Sequence, residues 1–198
     1  FDDVSIMRTI PDMVVLVPYD SNEITKLMPL TIEKKKSIYI RLTKYGDPKY
    51  GNKINVKYSK QAKIGKAQII YKNHVYKKND VLIVANGTMT PIAAETSKLM
   101  HSKKIKCSVL NISTVKPLDH KKLYSEINNT KFVFIVEEHS IIGGLGSACI
   151  EALVDNYNLN KLPYIYRIGL PDKFIHNYGD QKSLLEMHCM MPQQLLKR

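Results

Sequence analysis

The stretch 131–153, KFVFIVEEHSIIGGLGSACIEAL, decides the fold. Its opening, KFVFIV, is aromatic and β-branched, the composition of a buried strand. Glu137, Glu138 and His139 then stand together where that strand ends. Gly143, Gly144 and Gly146 fall within four positions, and SACIEAL spaces its apolar residues as a helix does. A strand, a glycine turn and a helix in that order form one unit of an α/β sheet.

The neighbouring segments repeat the unit. Upstream, DVLIVANG at 80–87 reads as a buried strand leaving through Gly87. Thr88 or Thr90 can cap the helix that follows, with Pro91 in its first turn and Ile92, Ala93, Thr96, Leu99 and Met100 on one face. IKCSVLNI at 105–112 is the next strand. The segment 114–127 offers a turn at Pro117, a cap at Asp119 and a short helix. Downstream, LPYIYRIGL at 162–170 is another strand, and short helices at SLLEMH and PQQLLKR close the chain. KAQIIYK at 66–72 is joined to the 80–87 strand by a turn and is expected antiparallel at one edge. The remaining alternation predicts a mostly parallel sheet with helices on both faces.

Before residue 66 the pattern is shorter. MVVLV at 13–17 is a strand stopped by Pro18, and Asp20 or Ser21 can cap a helix through SNEITKLM. SIYIRL at 37–42 is a second strand, so this region suits a parallel βαβ unit. Residues 43–65 are polar, lysine-rich and broken by glycine and proline, the best linker in the chain.

The chain has 198 residues, 44% of them hydrophobic, enough for one large domain or two small ones. No apolar run approaches the ~20 residues of a membrane span. The chain opens on Phe1 without a charged-then-apolar leader, which points to a fragment, a processed chain or part of a longer one. Cys107, Cys149 and Cys189 are scattered, lack metal-ligand spacing and suit free thiols in a reducing cytosol, two of them in the core. The net charge of +12 raises the prospect of an anionic partner. The lysines are dispersed, however, with only KKK at 34–36 as a block and no aromatic interleaving. A solvated basic surface is the expectation, with no nucleic-acid site and no membrane contact.

The glycine turn sits where a dinucleotide turn sits, but its spacing is neither G-x-G-x-x-G nor that of a P-loop. The reading is therefore mechanical: positive φ, and a helix starting close to the sheet. The adjacent Glu137–Glu138–His139 could do acid–base work or form a hydrogen-bonded pair at an interface. No G-x-S-x-G nucleophile motif is present.

Five segments, in order and over nearly the whole chain, together resemble transketolase: DDVSIMRTIPDMVVLVPYDSNE (2–23), IYIRLTK (38–44), STVKPLD (113–119), VEEHSIIGGLGSA (136–148) and GLPDKF (169–174). The likeness is strongest to transketolase-type enzymes whose C-terminal half is a separate chain. The resemblance implies that residues 1–60 end a thiamine-diphosphate pyrimidine-binding domain. It implies that residues 61–198 form the family's C-terminal domain, with a mostly parallel five-stranded sheet and one antiparallel edge strand. The implied activity is transfer of a two-carbon ketol unit between sugar phosphates, dependent on thiamine diphosphate and Mg, by a homodimer joined to an N-terminal thiamine-diphosphate-binding domain or subunit.

The family's cofactor-protonating glutamate, its ring-stacking aromatic residue and its metal ligands all precede the position of Phe1. No catalytic and no metal-binding residue is therefore assigned to this chain, Asp2, Asp3 and Glu23 included. The family's phosphate-contacting basic residue falls at Lys44, with Arg41 nearby as a second candidate or as an internally paired cation. Glu138, His139, Gly143 and Gly144 match a segment implied to serve an interface or to support neighbouring groups. Deoxyxylulose-phosphate synthases and 2-oxoacid dehydrogenase β subunits share these domains, though EEH before the glycines favours transketolase over the latter. A non-catalytic dimerisation module is the alternative from another class.

Overall fold

The computed structural model describes residues 2–43, 62–72, 78–157 and 162–198. The chain begins with α1 (Asp3–Thr9), β1 (Val14–Leu16), α2 (Ser21–Ile32) and β2 (Ile38–Ile40). It continues through β3 (Gln68–Lys72), β4 (Asn79–Ala85), α3 (Met89–Ser102), β5 (Cys107–Asn111) and β6 (Thr114–Lys116). The last part is α4 (His120–Ile127), β7 (Thr130–Ser140), α5 (Leu145–Asn156), β8 (Tyr164–Leu170), α6 (Gln181–Met187) and α7 (Pro192–Leu195).

The larger sheet has five strands in the order β3-β5-β4-β7-β8. All its pairings are parallel except β3 with β5 at the edge. This is the expected mixed α/β sheet with one antiparallel edge strand. The edge strand pairs with β5 rather than with β4, the strand that follows it in the chain. Both sides of β4 are already taken by parallel neighbours, β5 and β7.

Alternation along the strands builds a core on each face. Val81, Ile83 and Ala85 of β4 pack with α3 on one side. Leu82 and Val84 pack with Leu123 and Ile127 of α4 and Leu145, Cys149 and Leu153 of α5 on the other. Each Val, Leu or Ile side chain so removed from water contributes roughly 1.5–3 kcal/mol, which is why a strand buried on both faces reads as an unbroken apolar run.

The smaller sheet has the order β2-β1-β6. β1 and β2 are parallel, as the βαβ pattern predicts. β6 comes from beyond residue 61 and pairs antiparallel with β1, so strands from both sides of the 43–65 segment share this sheet. Thr114–Lys116 reads as a turn approach in the sequence, because three residues are too few to show a period. α1 also has no sequence counterpart, since its single fully buried residue, Val4, leaves no apolar stripe. Asp20, Asp119 and Asp180 cap α2, α4 and α6, each accepting a backbone N–H three residues on.

Candidate functional site at the strand ends

β7 runs to Ser140, so Glu137, Glu138 and His139 are themselves strand residues that point alternately to the two faces of the sheet. Glu137 faces α5. Its carboxylate accepts the backbone N–H groups of Leu145 at 2.5 Å and Gly146 at 2.8 Å, the orphan donors of a helix that has no side-chain cap of its own. Burial pushes this carboxyl up to about 7, against the pull of those two N–H groups and of Arg167 and Arg8. The glycine spacing follows from this carboxylate. A Cβ on Gly144 would lie 2.0 Å from Glu137 Oε2, and one on Gly146 3.1 Å from Oε1. The turn does receive an acidic side chain, and it is the chain's own Glu137.

His139, 2% exposed, faces the same side. Its Nδ1–H donates to the Ser140 carbonyl at 2.8 Å, and its Nε2 accepts the Ser5 N–H at 3.4 Å. Both contacts fit the neutral ring, and burial holds its pKa below the usual value. α1 thereby packs against the turn. Arg8 donates to the carbonyls of Gly143 and, at 3.2 Å, Gly144, and pairs with Glu151 of α5. Gly143 has φ +75° and meets Ser5, so a side chain there would be strained and obstructed.

Glu138 faces α3. Its carboxylate accepts from the Thr88 hydroxyl and from Gln181 Nε2 at 2.9 and 3.1 Å. Its carbonyl accepts from Arg41 Nη1 at 2.8 Å. Arg41 Nε lies 3.5 Å from Asp3 Oδ2, which also accepts from the Tyr39 hydroxyl at 2.8 Å. Although burial opposes it, Arg41 and Tyr39 hold the Asp3 carboxyl below the usual range.

These groups border a cleft of about 380 Å³ lined by Val17, Arg41, Asn86, Thr88, Glu138 and Gln181, among others. The chain leaves β4 for β5 on one side and later returns to β7 on the other. The cleft lies at the carboxyl ends of β4 and β7, where open α/β sheets bind ligands.

Glu23, fully buried, accepts from the Tyr19 N–H at 2.8 Å, Asn111 Nδ2 at 2.9 Å and the Ser113 hydroxyl at 2.5 Å. Burial raises its carboxyl to about 7. It joins α2 to the end of β5 and lies outside the cleft's lining.

Of the residues singled out in the sequence, Arg41 and Glu138 meet at the cleft. His139, Gly143 and Gly144 meet at the α1–α5 contact on the opposite face. Lys44 lies outside the described residues. Sequence reasoning missed Glu137 as a cap, because the donors it serves are eight and nine residues away. It also missed Asn86 and Gln181, which carry no local motif, and reads Thr88 as a helix cap, whereas its hydroxyl makes no cap bond and donates to Glu138. Cys107 and Cys149 are buried and Cys189 is exposed, all as free thiols. Among the described residues no group of three His, Cys, Asp or Glu side chains is arranged to hold a metal ion. No helix among them is long and apolar enough to cross a membrane.

Residues 71–195 match the family model described as "Transketolase, C-terminal domain". A 1-deoxy-D-xylulose-5-phosphate synthase from Halothermothrix orenii is 32% identical over 173 residues, 87% of this chain and 26% of that protein. A protein named as a transketolase C-terminal section, from Methanocaldococcus jannaschii, is 31% identical over 199 residues, 100% of this chain and 58% of that protein. This chain thus spans between 26% and 58% of the length of these two relatives. Among solved structures, one described as a split-gene transketolase in an inactive β4 tetramer superposes with a TM-score of 0.80 at 29% identity, covering 99% of this chain and 58% of that one. A transketolase from Pichia stipitis shares the fold, with a TM-score of 0.65 at 15% identity over 100% of this chain and 26% of that one.

Proposed function

We propose, because this chain belongs to the transketolase family and carries its C-terminal domain, that it is the C-terminal portion or subunit of a thiamine-diphosphate-dependent ketol transferase. The observation that carries the reading is the superposition on a split-gene transketolase over 99% of this chain. In this reading residues 1–60 complete a pyrimidine-binding domain and residues 61–198 are the C-terminal domain. Catalysis requires an N-terminal, cofactor-binding domain or subunit, and the assembly is built on a homodimer in the cytoplasm.

The described residues do not fit the cofactor's metal site, since they lack a grouped ligand set. The divalent cation and the diphosphate are therefore assigned to the N-terminal partner. The carbon–carbon chemistry belongs to the coenzyme, and no step of it is assigned to a side chain of this chain. The contribution proposed here is positional. Arg41 ties the end of β2 to β7 and to α1. Lys44 follows three residues later and is proposed to meet the phosphate of the sugar as a point charge, assisted by the field of Arg41. Glu138, His139, Gly143 and Gly144 are proposed to support the dimer by fixing α1 and the turn beneath it.

The likeness to a deoxyxylulose-phosphate synthase, 32% identical, favours a second reading in which the donor is a 2-oxoacid. The test combines this chain with its N-terminal partner, thiamine diphosphate and Mg, and supplies either a ketose phosphate or pyruvate as donor. Two-carbon transfer from the ketose phosphate to an aldose acceptor is expected. Turnover with pyruvate and none with the ketose would replace the first reading by the second.

A further inference from the structure

Along the sequence the lysines have no aromatic residues interleaved with them, the ground for expecting no nucleic-acid site. Strand pairing supplies what the linear order lacks. Phe132 and Phe134 of β7 stand opposite Tyr164 and Tyr166 of β8, the last strand of the larger sheet. The rings stack in two rows, Phe132 on Tyr164 with centroids 5.6 Å apart and Phe134 on Tyr166 at 5.2 Å, the planes within 20° of parallel. A stacked ring spends one face on its partner and keeps the other. Tyr164 is 69% and Tyr166 48% exposed, and no further strand among the described residues lies beyond them, so the open faces are theirs. Farther along the same face, Val136 and Ile168 pack with Leu185 of α6 and Leu195 of α7, and the two tyrosines lie outside that cover.

The amino ends of the strands beside this ladder are basic. Lys78 leads into β4, Lys103, Lys104 and Lys106 lead into β5, and Lys131 precedes Phe132 at the start of β7. The pairing fixes their nearness. Val81 is the partner of Phe132, the Asp80 N–H donates to the Lys106 carbonyl at 2.8 Å, and Lys131 Nζ lies 3.6 Å from Asp80 Oδ1. In the segments 78–80, 103–106 and 130–132 five lysines thus stand against one acidic side chain, Asp80. Lys78, Lys103, Lys104 and Lys131 are exposed.

A partner that matches this surface offers flat rings and negative charge together. Bases stack on aromatic faces whatever their identity, while the phosphates between them meet lysines. A duplex hides the faces of its bases, and an anionic lipid surface has no rings to stack. We propose that the β7–β8 aromatic ladder and the lysines at its foot form a binding platform for single-stranded nucleic acid, without base preference. The platform lies at the amino ends of the strands, away from the cleft at their carboxyl ends, and is independent of the transfer reaction proposed above.

The test is fluorescence anisotropy of a labelled oligothymidylate of about 20 nucleotides, titrated with the 198-residue chain. Saturable binding is expected, weakening roughly 10- to 100-fold between about 50 and about 200 mM salt as some three to five phosphates are neutralised. Tyr164→Ala combined with Tyr166→Ala is expected to weaken binding by about tenfold or more. Tyr178→Ala removes an exposed ring outside the ladder and is expected to leave binding unchanged. Lys103→Gln combined with Lys131→Gln is expected to flatten the salt dependence. If the double tyrosine variant does not fold, Tyr164→Ala alone is titrated, with loss in the same direction. The absence of saturable binding, affinity unaltered by the Tyr164 and Tyr166 variants, or a salt dependence unaltered by the lysine variants would each overturn the proposal. So would a duplex of the same length bound as tightly as the single strand, or binding to phosphatidylserine vesicles with none to the oligonucleotide.

Discussion

Glu137 and Glu138 are adjacent on β7 and serve opposite faces of the sheet: Glu137 accepts the first backbone N–H groups of α5, and Glu138 accepts the hydroxyl of Thr88 at the start of α3. One strand end thus anchors the helices on both sides. The first donors of α5 are thus satisfied internally by Glu137, while Glu138 stands in the lining of the cleft.

The first prediction concerns Gly144. Its Cβ would fall 2.0 Å from Glu137 Oε2 and 2.6 Å from His139 Nδ1. Gly144→Ala should therefore destabilise the chain by about 1–3 kcal/mol, the usual cost of overpacking. Paired with Glu137→Ala, the loss should be less than the sum of the two single losses, because the closer of the two clashes is removed with the carboxylate. Chemical denaturation of the four proteins measures this, and strict additivity would show that the two groups do not meet.

A second prediction follows from the buried carboxyls. Glu23 and Glu137 both titrate at about 7 in the folded chain, above the ordinary 4.5. Between those values the folded state holds protons that the unfolded state has released. Stability from these groups therefore falls as pH rises from about 4.5 to about 7 and is level above that. His139, lowered from 6.5, has the opposite sign. The comparison is accordingly made between the parent chain and Glu23→Gln, which share His139. The variant should show the shallower decline in unfolding free energy across that interval.

His139 itself should resist protonation. Its Nδ1 donates to the Ser140 carbonyl and its Nε2 accepts from Ser5. Imidazole nitrogen shifts should report the Nδ1–H tautomer and a titration midpoint below 6.5. A midpoint above that value would mean that the contact with α1 is not the one described.

Arg41 should have a structural effect separable from any role toward substrate. Arg41→Met removes the donor to the Glu138 carbonyl and the partner of Asp3. A loss of about 1–3 kcal/mol is expected. The Asp3 carboxyl should rise in the same variant, since the guanidinium that depresses it is gone. In the assembled enzyme, Lys44→Met should raise KM for a phosphorylated donor while leaving the stability of the chain nearly unchanged.

Much of the fold is legible in the sequence, because residues 81–85 and 132–136 are apolar without interruption and the aspartates at 20 and 119 sit where helices begin. The parts that were not legible have a common cause. β6 and α1 are held by partners distant in sequence, so nothing local marks them. The pairing of β3 depended on which neighbours had already claimed β4. The site was half legible. EEH followed by glycines marks the strand end, but the alternation that separates Glu137 from Glu138 appears only once β7 is known to run through to Ser140. Asn86 and Gln181 reach the cleft from β4's end and from α6, and the sequence gives no spacing that joins them.

In the function proposed above, this chain supplies scaffold and the coenzyme is held by protein outside it. Calorimetric titration of thiamine diphosphate with Mg, into the 198-residue chain alone and into its mixture with the N-terminal partner, tests this most directly. No heat of binding from the chain alone and saturable binding by the mixture are the predicted results. Saturable coenzyme binding by this chain without a partner would contradict the account.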